Sequence, residues 1–176
     1  MEEDLLIKKA QDGEAEAFGQ LYDHYLPKIY RFVFIKVSSQ TDAEDLTQQI
    51  FLNAWQNIKS FQFQGFSISS WFYRIAYNEV VDFYRTRKHH EPIETLPEEI
   101  LSESPGTDQA FDQNIEIGKI KIALQKLEGD QQNVLLMKFV DELSNKEIAQ
   151  ALNKSEGAIR VIQHRGLKQL KNYLSQ

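Results

Sequence analysis

The chain has 176 residues, of which 41% are hydrophobic, 11% aromatic and 26% charged, and its formal net charge is −6. This composition is typical of a globular protein, and the absence of cysteine excludes disulfides, thiol catalysis and cysteine-ligated zinc. Because the acidic N-terminus lacks the apolar core of a signal peptide, and no stretch approaches the roughly 18 apolar residues of a transmembrane helix, we predict a cytoplasmic protein without membrane contact.

Helical spacing dominates the first 88 residues. Apolar side chains recur every three or four positions from Phe18 to Val33, and Pro27 within this run predicts a bend. Thr41 and Glu44 match a capping box, which predicts the start of a second helix. The apolar side of that helix comprises Leu46, Ile50, Phe51, Ala54 and Trp55. A third helix is predicted to start near Ser69 or Ser70, with a core stripe of Trp71, Ile75, Val81 and Tyr84.

The loop before this third helix, "SFQFQGFSISSW", places Phe61, Phe63 and Phe66 around Gly65. The helix after it adds Tyr73, Tyr77 and Asn78, together with the cationic residues Arg74, Arg85, Arg87 and Lys88. Exposed rings can stack on bases while cations contact phosphates and an amide reads a base edge. The unit therefore suits single-stranded nucleic acid, although core packing would account for some of the rings.

Charge divides the chain into three parts. Residues 1–88 have a net charge of −2, residues 89–118 of −8 and residues 119–176 of +4. The middle part contains Pro92, Pro97, Pro105 and Gly106 and shows no sustained hydrophobic period, as expected of a linker. We therefore predict an all-α protein in which two small helical domains, 1–88 and 119–176, are joined by a flexible acidic linker, 89–118.

The C-terminal part contains two short helices joined by a tight turn. Ser144 and Glu147 form a capping box for the first helix, Asn153 and Lys154 form the turn, and Ser155 can cap the second helix. The buried seam of the second helix is predicted to be Ile159, Ile162, Gly166 and Leu170. This pattern predicts a helix-turn-helix, with Arg160, His164, Arg165 and Lys168 free to enter a major groove. A plain helical hairpin is the alternative.

Four segments, in this order, resemble the extracytoplasmic-function (ECF) type of bacterial RNA polymerase sigma factor. "AFGQLYDHYLPKIYRFVF" is similar to the start of sigma region 2, and "DAEDLTQQIFLNAW" to its polymerase-binding helix. "FQGFSISSWFYRIAYNEVVDFYRTRK" resembles the promoter-melting part of region 2. "LQKLEGDQQNVLLMKFVDELSNKEIAQALNKSEGAIRVIQHRGLKQL" resembles region 4. The resemblance implies a sigma factor that binds core polymerase, melts the minus-ten region and reads the minus-thirty-five element.

The resemblance also implies roles for individual residues. The motif that docks on the clamp helices of the largest polymerase subunit corresponds to Asp45, Leu46, Gln48, Gln49 and Phe51, with Gln49 where the family usually has an acidic residue. The minus-ten residues would be Phe61, Phe63, Gly65, Phe66, Tyr73, Arg74, Tyr77, Asn78, Arg85, Arg87 and Lys88. The minus-thirty-five residues would be Ser155, Glu156, Arg160, His164, Arg165 and Lys168. Many members carry Ser-Arg at positions 161 and 162 and arginine at 167, so Val161, Ile162 and Leu167 predict a different footprint.

The partners implied by the resemblance are core RNA polymerase, through its clamp helices and the flap of its second-largest subunit, and promoter DNA. Family members are often held inactive by an anti-sigma factor, which is a further candidate partner. A helix-turn-helix regulator with an N-terminal sensing or dimerising domain is the alternative function. An enzyme is not predicted, because His24, His89, His90 and His164 lack metal-site spacing and no nucleophile or phosphate-loop motif accompanies them. We accordingly predict no catalytic residue, no metal and no cofactor.

Overall fold

The described part of the chain, residues 2–63, 65–87 and 118–175 of a computed structural model, contains helices and no strand. The N-terminal half consists of α1 Glu2–Gln11, α2 Ala15–Val37, α3 Gln40–Asn57, a 3-10 turn Ile58–Ser60 and α4 Ile68–Arg87. The C-terminal half consists of α5 (118–125), α6 Gly129–Leu135 with a π-turn at Leu136–Val140, α7 Asn145–Leu152 and α8 Glu156–Leu174. The all-α prediction is confirmed. The predicted linker lies outside the described residues except for Gly118, which belongs to α5 rather than to the linker.

Helix α2 is the centre of the N-terminal half and packs on α1, α3 and α4. Its buried residues Ile29, Phe32 and Val33 follow the predicted spacing, and the helix continues through Pro27. Helix α1 was not predicted, because its acidic start conceals the short apolar face made by Ile7 and Ala10. None of the described helices combines the length and the hydropathy that crossing a membrane requires.

The start of α3 differs from the sequence prediction. The N-cap is Ser39, whose Oγ accepts a hydrogen bond from the Asp42 backbone N–H at 3.3 Å. Glu44 accepts from the side chain of Gln40 at 2.9 Å instead of closing a capping box with Thr41. The cap therefore lies two residues earlier than predicted, since Ser39 offers the same hydroxyl oxygen to the first helical turn.

The core stripe of α4 is also shifted. Its buried residues are Ile68, Ser70, Phe72, Tyr73, Ala76 and Val80. Trp71 and Ile75 are partly buried, whereas Val81 is 45% exposed and Tyr84 is 42% exposed, so the prediction was wrong for these last two. Val80, one residue before Val81, is buried instead, and α4 also packs on α7 through Ser70 and Arg74 nearer its start.

The helix-turn-helix geometry is confirmed. Ser144 and Glu147 form a complete capping box, and Asn153 ends α7 in the left-handed conformation with φ of 52°. Ser155 accepts a hydrogen bond from the Ala158 N–H at 3.1 Å and so caps α8. Gly166 is buried where α8 crosses α6, and a β-carbon there would lie 3.3 Å from the Leu135 side chain. The close approach of these two helices therefore depends on glycine.

The two halves pack against each other through what we call the seam, the contact of α2 and α4 with α5, α6, the π-turn and α7. Arg31 of α2 forms an ion pair with Asp141 at 2.9 Å, and Lys36 donates to the side chain of Gln132 at 3.0 Å. Gln125 of α5 donates to Ser38 Oγ at 2.6 Å. Polar side chains thus link the halves at several separate points.

Candidate nucleic-acid interface

Helix α8 presents the basic face that the sequence predicts. Arg160, His164, Arg165 and Lys168 are exposed, while Ile159 and Gly166 face the interior. Arg160 lies 3.6 Å from Glu156 in a solvent-exposed pair, an arrangement that contributes at most about 1 kcal/mol and leaves the guanidinium free to exchange partners. The helix therefore offers a set of cations on the side away from its own core.

The face of α3 that the resemblance assigns to polymerase is only partly exposed. Asp45, Gln48 and Gln49 are exposed, and Leu46 is partly buried. Phe51 is 3% exposed and packs on Tyr22 and Phe72, with ring centroids 4.7 and 5.5 Å away. The expectation that Phe51 faces a partner was therefore wrong, because its helical position points into the junction with α2 and α4.

Sequence reasoning missed Leu52 as a member of this face. Its side chain is 49% exposed and lies on the same side of α3 as Asp45 and Gln48, at spacings of seven and four residues. A groove of about 400 Å³ runs beside it, lined on the α2 side by Phe18 and Tyr22 and closed by Trp55. The spacing from Asp45 was the available signal, but Leu52 lies among apolar neighbours in the sequence, a setting typical of core residues.

The loop before α4 divides its three phenylalanines between two roles. Phe61 is buried and packs on Phe63 and Trp71, with ring centroids 5.3 and 5.5 Å away. Phe63 and Phe66 are 39% and 43% exposed, and the Arg74 guanidinium lies 5.3 Å from the Phe66 ring centroid. Phe61 is thus a support for the loop rather than a stacking platform, while Phe63 and Phe66 keep the exposure that stacking needs.

Tyr73 is fully buried, contrary to the expectation that it lies open beside the loop. Its ring packs edge-on against Phe32 at 5.5 Å, and burial raises the pKa of its hydroxyl, with the nearby Asp141 carboxylate adding to the shift. An α4 residue facing both α2 and the seam cannot also contact a base. Tyr73 therefore joins the core in this arrangement.

The remaining predicted residues of α4 lie along its outer side. Tyr77 is partly buried and Asn78 is exposed. Arg85 pairs with Asp82 at 3.1 Å, and Arg87 pairs with Asp42 of α3 at 2.9 Å. Lys88 lies outside the described residues.

The loop and the helix-turn-helix meet at one residue of α7, Gln150. Its Oε1 accepts a hydrogen bond from Ser70 Oγ at 3.0 Å, and its Nε2 donates to the Gly65 carbonyl. Its backbone carbonyl accepts from the Arg74 guanidinium. Gly65 has φ of 77°, a left-handed conformation that turns its carbonyl toward α7 without the strain a side chain would add. No local pattern indicates this contact, because Gln150 is 85 residues from Gly65.

Two family comparisons match the two halves separately. The Sigma-70 region 2 family matches residues 21–90, and the Sigma-70 region 4 family matches residues 123–172. ECF RNA polymerase sigma factor SigW of Bacillus subtilis is 30% identical over 178 residues, covering 96% of this chain and 94% of the relative. The chain belongs to the ECF sigma factor family. ECF sigma factors are transcription initiation factors that direct RNA polymerase to promoter DNA, and they are not enzymes.

Another ECF sigma factor, BldN of Streptomyces coelicolor, is 33% identical over 172 residues; the match covers 96% of this chain but 64% of BldN. Two solved structures share the fold. CnrH, solved in complex with the cytosolic domain of CnrY, gives a TM-score of 0.77 at 21% identity and covers 99% of this chain and 98% of CnrH. RpoE of Bartonella quintana, solved with the anti-sigma factor NepR, gives a TM-score of 0.74 at 22% identity. The match covers 92% of this chain and 98% of RpoE.

Proposed function

We propose that this ECF sigma factor divides promoter initiation among three surfaces of its own chain. The exposed basic face of α8, held by a fully capped helix-turn-helix, is the observation that carries the proposal. Residues 1–88 act as region 2, residues 119–176 act as region 4, and residues 89–118 connect them. The protein works in the cytoplasm, where core polymerase and promoter DNA are its partners.

The first surface is the α8 face, which reads the minus-thirty-five element. Arg160 and Arg165 are exposed arginines whose guanidinium groups can donate two hydrogen bonds to one guanine. His164 and Lys168 flank them on the same exposed side, and Ser155 and Glu156 form the helix start that approaches the duplex first.

The second surface is the outer face of α3, which docks on the clamp helices of the polymerase. Asp45, Gln48 and Gln49 supply its polar contacts, and Leu52 supplies an apolar contact that the family motif alone did not indicate. Gln49 gives this chain hydrogen-bonding capacity where many relatives have a charge.

The third surface is the loop around Gly65, which binds the unpaired minus-ten strand. Phe63 and Phe66 supply exposed rings, and Asn78 and Arg85 lie exposed on α4 to contact a base edge and phosphate. Phe61 and Tyr73 support this surface, because their ring contacts fix the loop and α4 to the core.

A further partner is an anti-sigma factor. The support is that CnrH and RpoE, which share this fold, were each solved with a bound protein, and that the protein bound to RpoE, NepR, is an anti-sigma factor. Run-off transcription with purified core polymerase on genomic promoters tests the proposed function. We expect transcripts to start at a defined set of promoters, and loss of selectivity when α8 is altered; core-dependent transcription that is the same with and without this chain would contradict it.

We predict that Arg160→Ala and Arg165→Ala each weaken promoter binding by the reconstituted holoenzyme. Loss of a bidentate contact to guanine reduces affinity by about 1–3 kcal/mol, or roughly 5- to 150-fold. The measurement is binding to promoter DNA and to DNA with a scrambled upstream element. Lys171→Ala, which removes an exposed cation from the last turn of the same helix, is the control. An equal loss of affinity for both DNAs would show that the arginines contact phosphates and do not read bases.

Changes on the outer face of α3 should separate binding from stability. Asp45→Ala and Gln48→Ala remove exposed side chains, so the melting temperature should change little. Core-polymerase affinity should fall by about 5- to 30-fold, from the loss of about 1–2 kcal/mol of polar interaction. Gln56→Ala, at an exposed position nearer the C-terminal end of the helix, is the matched control. Unfolding without a change of affinity in the remaining folded protein would assign the two residues a structural role instead.

A further inference from the structure

Gln150 binds polar groups of the loop and of α4, among them those of Gly65 and Arg74, which the resemblance assigns to the minus-ten surface. It accepts from Ser70, donates to the Gly65 carbonyl and accepts from Arg74 through its own carbonyl. The loop carbonyl and the Arg74 guanidinium are the kinds of group that contact bases and phosphates in single-strand sites. In the packed arrangement these groups already have a partner from the other half of the chain.

The surroundings of Gln150 restrict access further. Phe66 and Arg74 form one wall of a cleft of about 320 Å³, and Lys146, Ala149 and Asn153 of the helix-turn-helix form the other. A base stacked on the inner side of Phe66 would have to enter between α4 and α7. The inner side of Phe66 and the Arg74 guanidinium are therefore screened by the helix-turn-helix, while Phe63 stays exposed.

The seam that holds α7 in this place combines polar contacts with apolar side chains of both halves, which belong to one hydrophobic cluster. Its Arg31 guanidinium is 47% exposed while the Asp141 side chain that it pairs with is fully buried, and Arg31 also donates to the Val140 carbonyl at 3.1 Å. Burial raises the pKa of the Asp141 carboxyl, and Arg31 opposes that shift. Contacts between domains of one chain commonly resemble transient interfaces, which separate without unfolding either side.

We propose that the packed arrangement is a self-inhibited state in which Gln150 serves as an internal competitor of the minus-ten strand. Promoter binding then requires the seam to open, so the affinity for single-stranded DNA is reduced by the fraction of molecules that are closed. The inference rests on the proposed minus-ten role of the loop and adds to it the regulation of that same surface.

The test uses the full chain with two readouts. Because the chain has no cysteine, Gln56→Cys and Asn172→Cys provide two selective labelling sites, one in each half, for an interdomain distance measurement by fluorescence transfer. The second readout is the affinity of the free chain for the labelled non-template strand of a promoter that the holoenzyme transcribes. Gln150→Ala removes the side-chain clasp, and Arg31→Ala weakens the seam at a separate point without removing a buried apolar group.

We expect both variants to lengthen the interdomain distance and to bind the single strand about tenfold more tightly, which corresponds to about 1.4 kcal/mol of lost closing interaction. Gln163→Ala, an amide removed from α8, should behave as the unaltered chain. Unchanged distance and affinity would overturn the proposal, as would an opened seam without tighter binding. Weaker binding by Gln150→Ala would also overturn it, since Gln150 would then be a DNA contact.

Failure of the proposed function looks different. If the unaltered chain supports no promoter-specific transcription with core polymerase, the minus-ten assignment fails, yet the distance measurement still reports whether Gln150 and Arg31 hold the halves together.

Discussion

Phe72→Ala should lower the free energy of unfolding by about 3–5 kcal/mol, the usual cost of removing a buried aromatic ring and leaving a cavity. Phe72 is fully buried, and its ring packs on Tyr25, Phe51 and Trp71 at centroid distances of 4.8, 5.5 and 5.5 Å. It thus joins α2, α3 and α4 at one point. Because α3 carries the proposed docking face and α4 follows the proposed minus-ten loop, the same loss should loosen both surfaces.

Urea unfolding followed by tryptophan fluorescence measures this effect, since the two tryptophans, Trp55 and Trp71, both lie in the N-terminal half. Phe139→Ala is the matched control, because that ring is 55% exposed and its removal should change stability by no more than about 0.5 kcal/mol. A loss below about 1 kcal/mol for Phe72→Ala would show that the three helices do not share the core that their ring contacts indicate.

Stability should rise by about 2 kcal/mol as the pH increases from about 8 to about 9.5, because of Lys36. Burial at the seam lowers the pKa of its ammonium from 10.5 to about 8, and Asp130 opposes the shift only partly. The Nζ donates to the side chains of Gln132 and Asn133, which are neutral and do not balance the charge. A buried ammonium destabilises the folded state while it is protonated. The free energy of unfolding therefore begins to rise once the pH exceeds the pKa that Lys36 has in the folded state.

Lys36→Met should remove this pH dependence, since methionine keeps an apolar stem and has no proton to lose. Tyr84 donates its hydroxyl to the Lys36 carbonyl, and burial raises its pKa, so it stays neutral over the same range. Lys59→Met, at an exposed position, is the control and should leave the rise in place. Urea midpoints at several pH values give the change of stability with pH in the three proteins. The same change in all three would show that Lys36 is in contact with water.

Local sequence patterns predicted what depends on local geometry. The capping box at Ser144, the left-handed turn at Asn153 and the buried Gly166 follow from residues within a few positions of one another, and the structure contains all three. The same reasoning placed the cap of α3 at Thr41, whereas the hydroxyl that caps the helix belongs to Ser39, two residues earlier.

What the sequence could not predict depends on contacts between distant parts of the chain. Val80 rather than Val81 is buried, and α4 packs on α7 as well as on α2 and α3, a neighbour that an analysis of separate domains omits. Phe51, Phe61 and Tyr73 have the residue types of a binding surface but face inward, and only their neighbours on other helices reveal it. Gln150 carried no motif at all, since its contacts lie 76 to 85 residues away.

The π-turn after α6 holds one residue more than an α-helical turn would, because the Asp141 N–H donates to the Leu136 carbonyl five residues back, at 3.1 Å. Deletion of one residue inside this turn, such as the exposed Phe139, would place Asp141 four residues after Leu136, and the same two groups could then bond across an ordinary α-helical turn. Asp141 would keep its place beside Arg31. Relatives that lack one residue at this turn can therefore keep the contact between their halves.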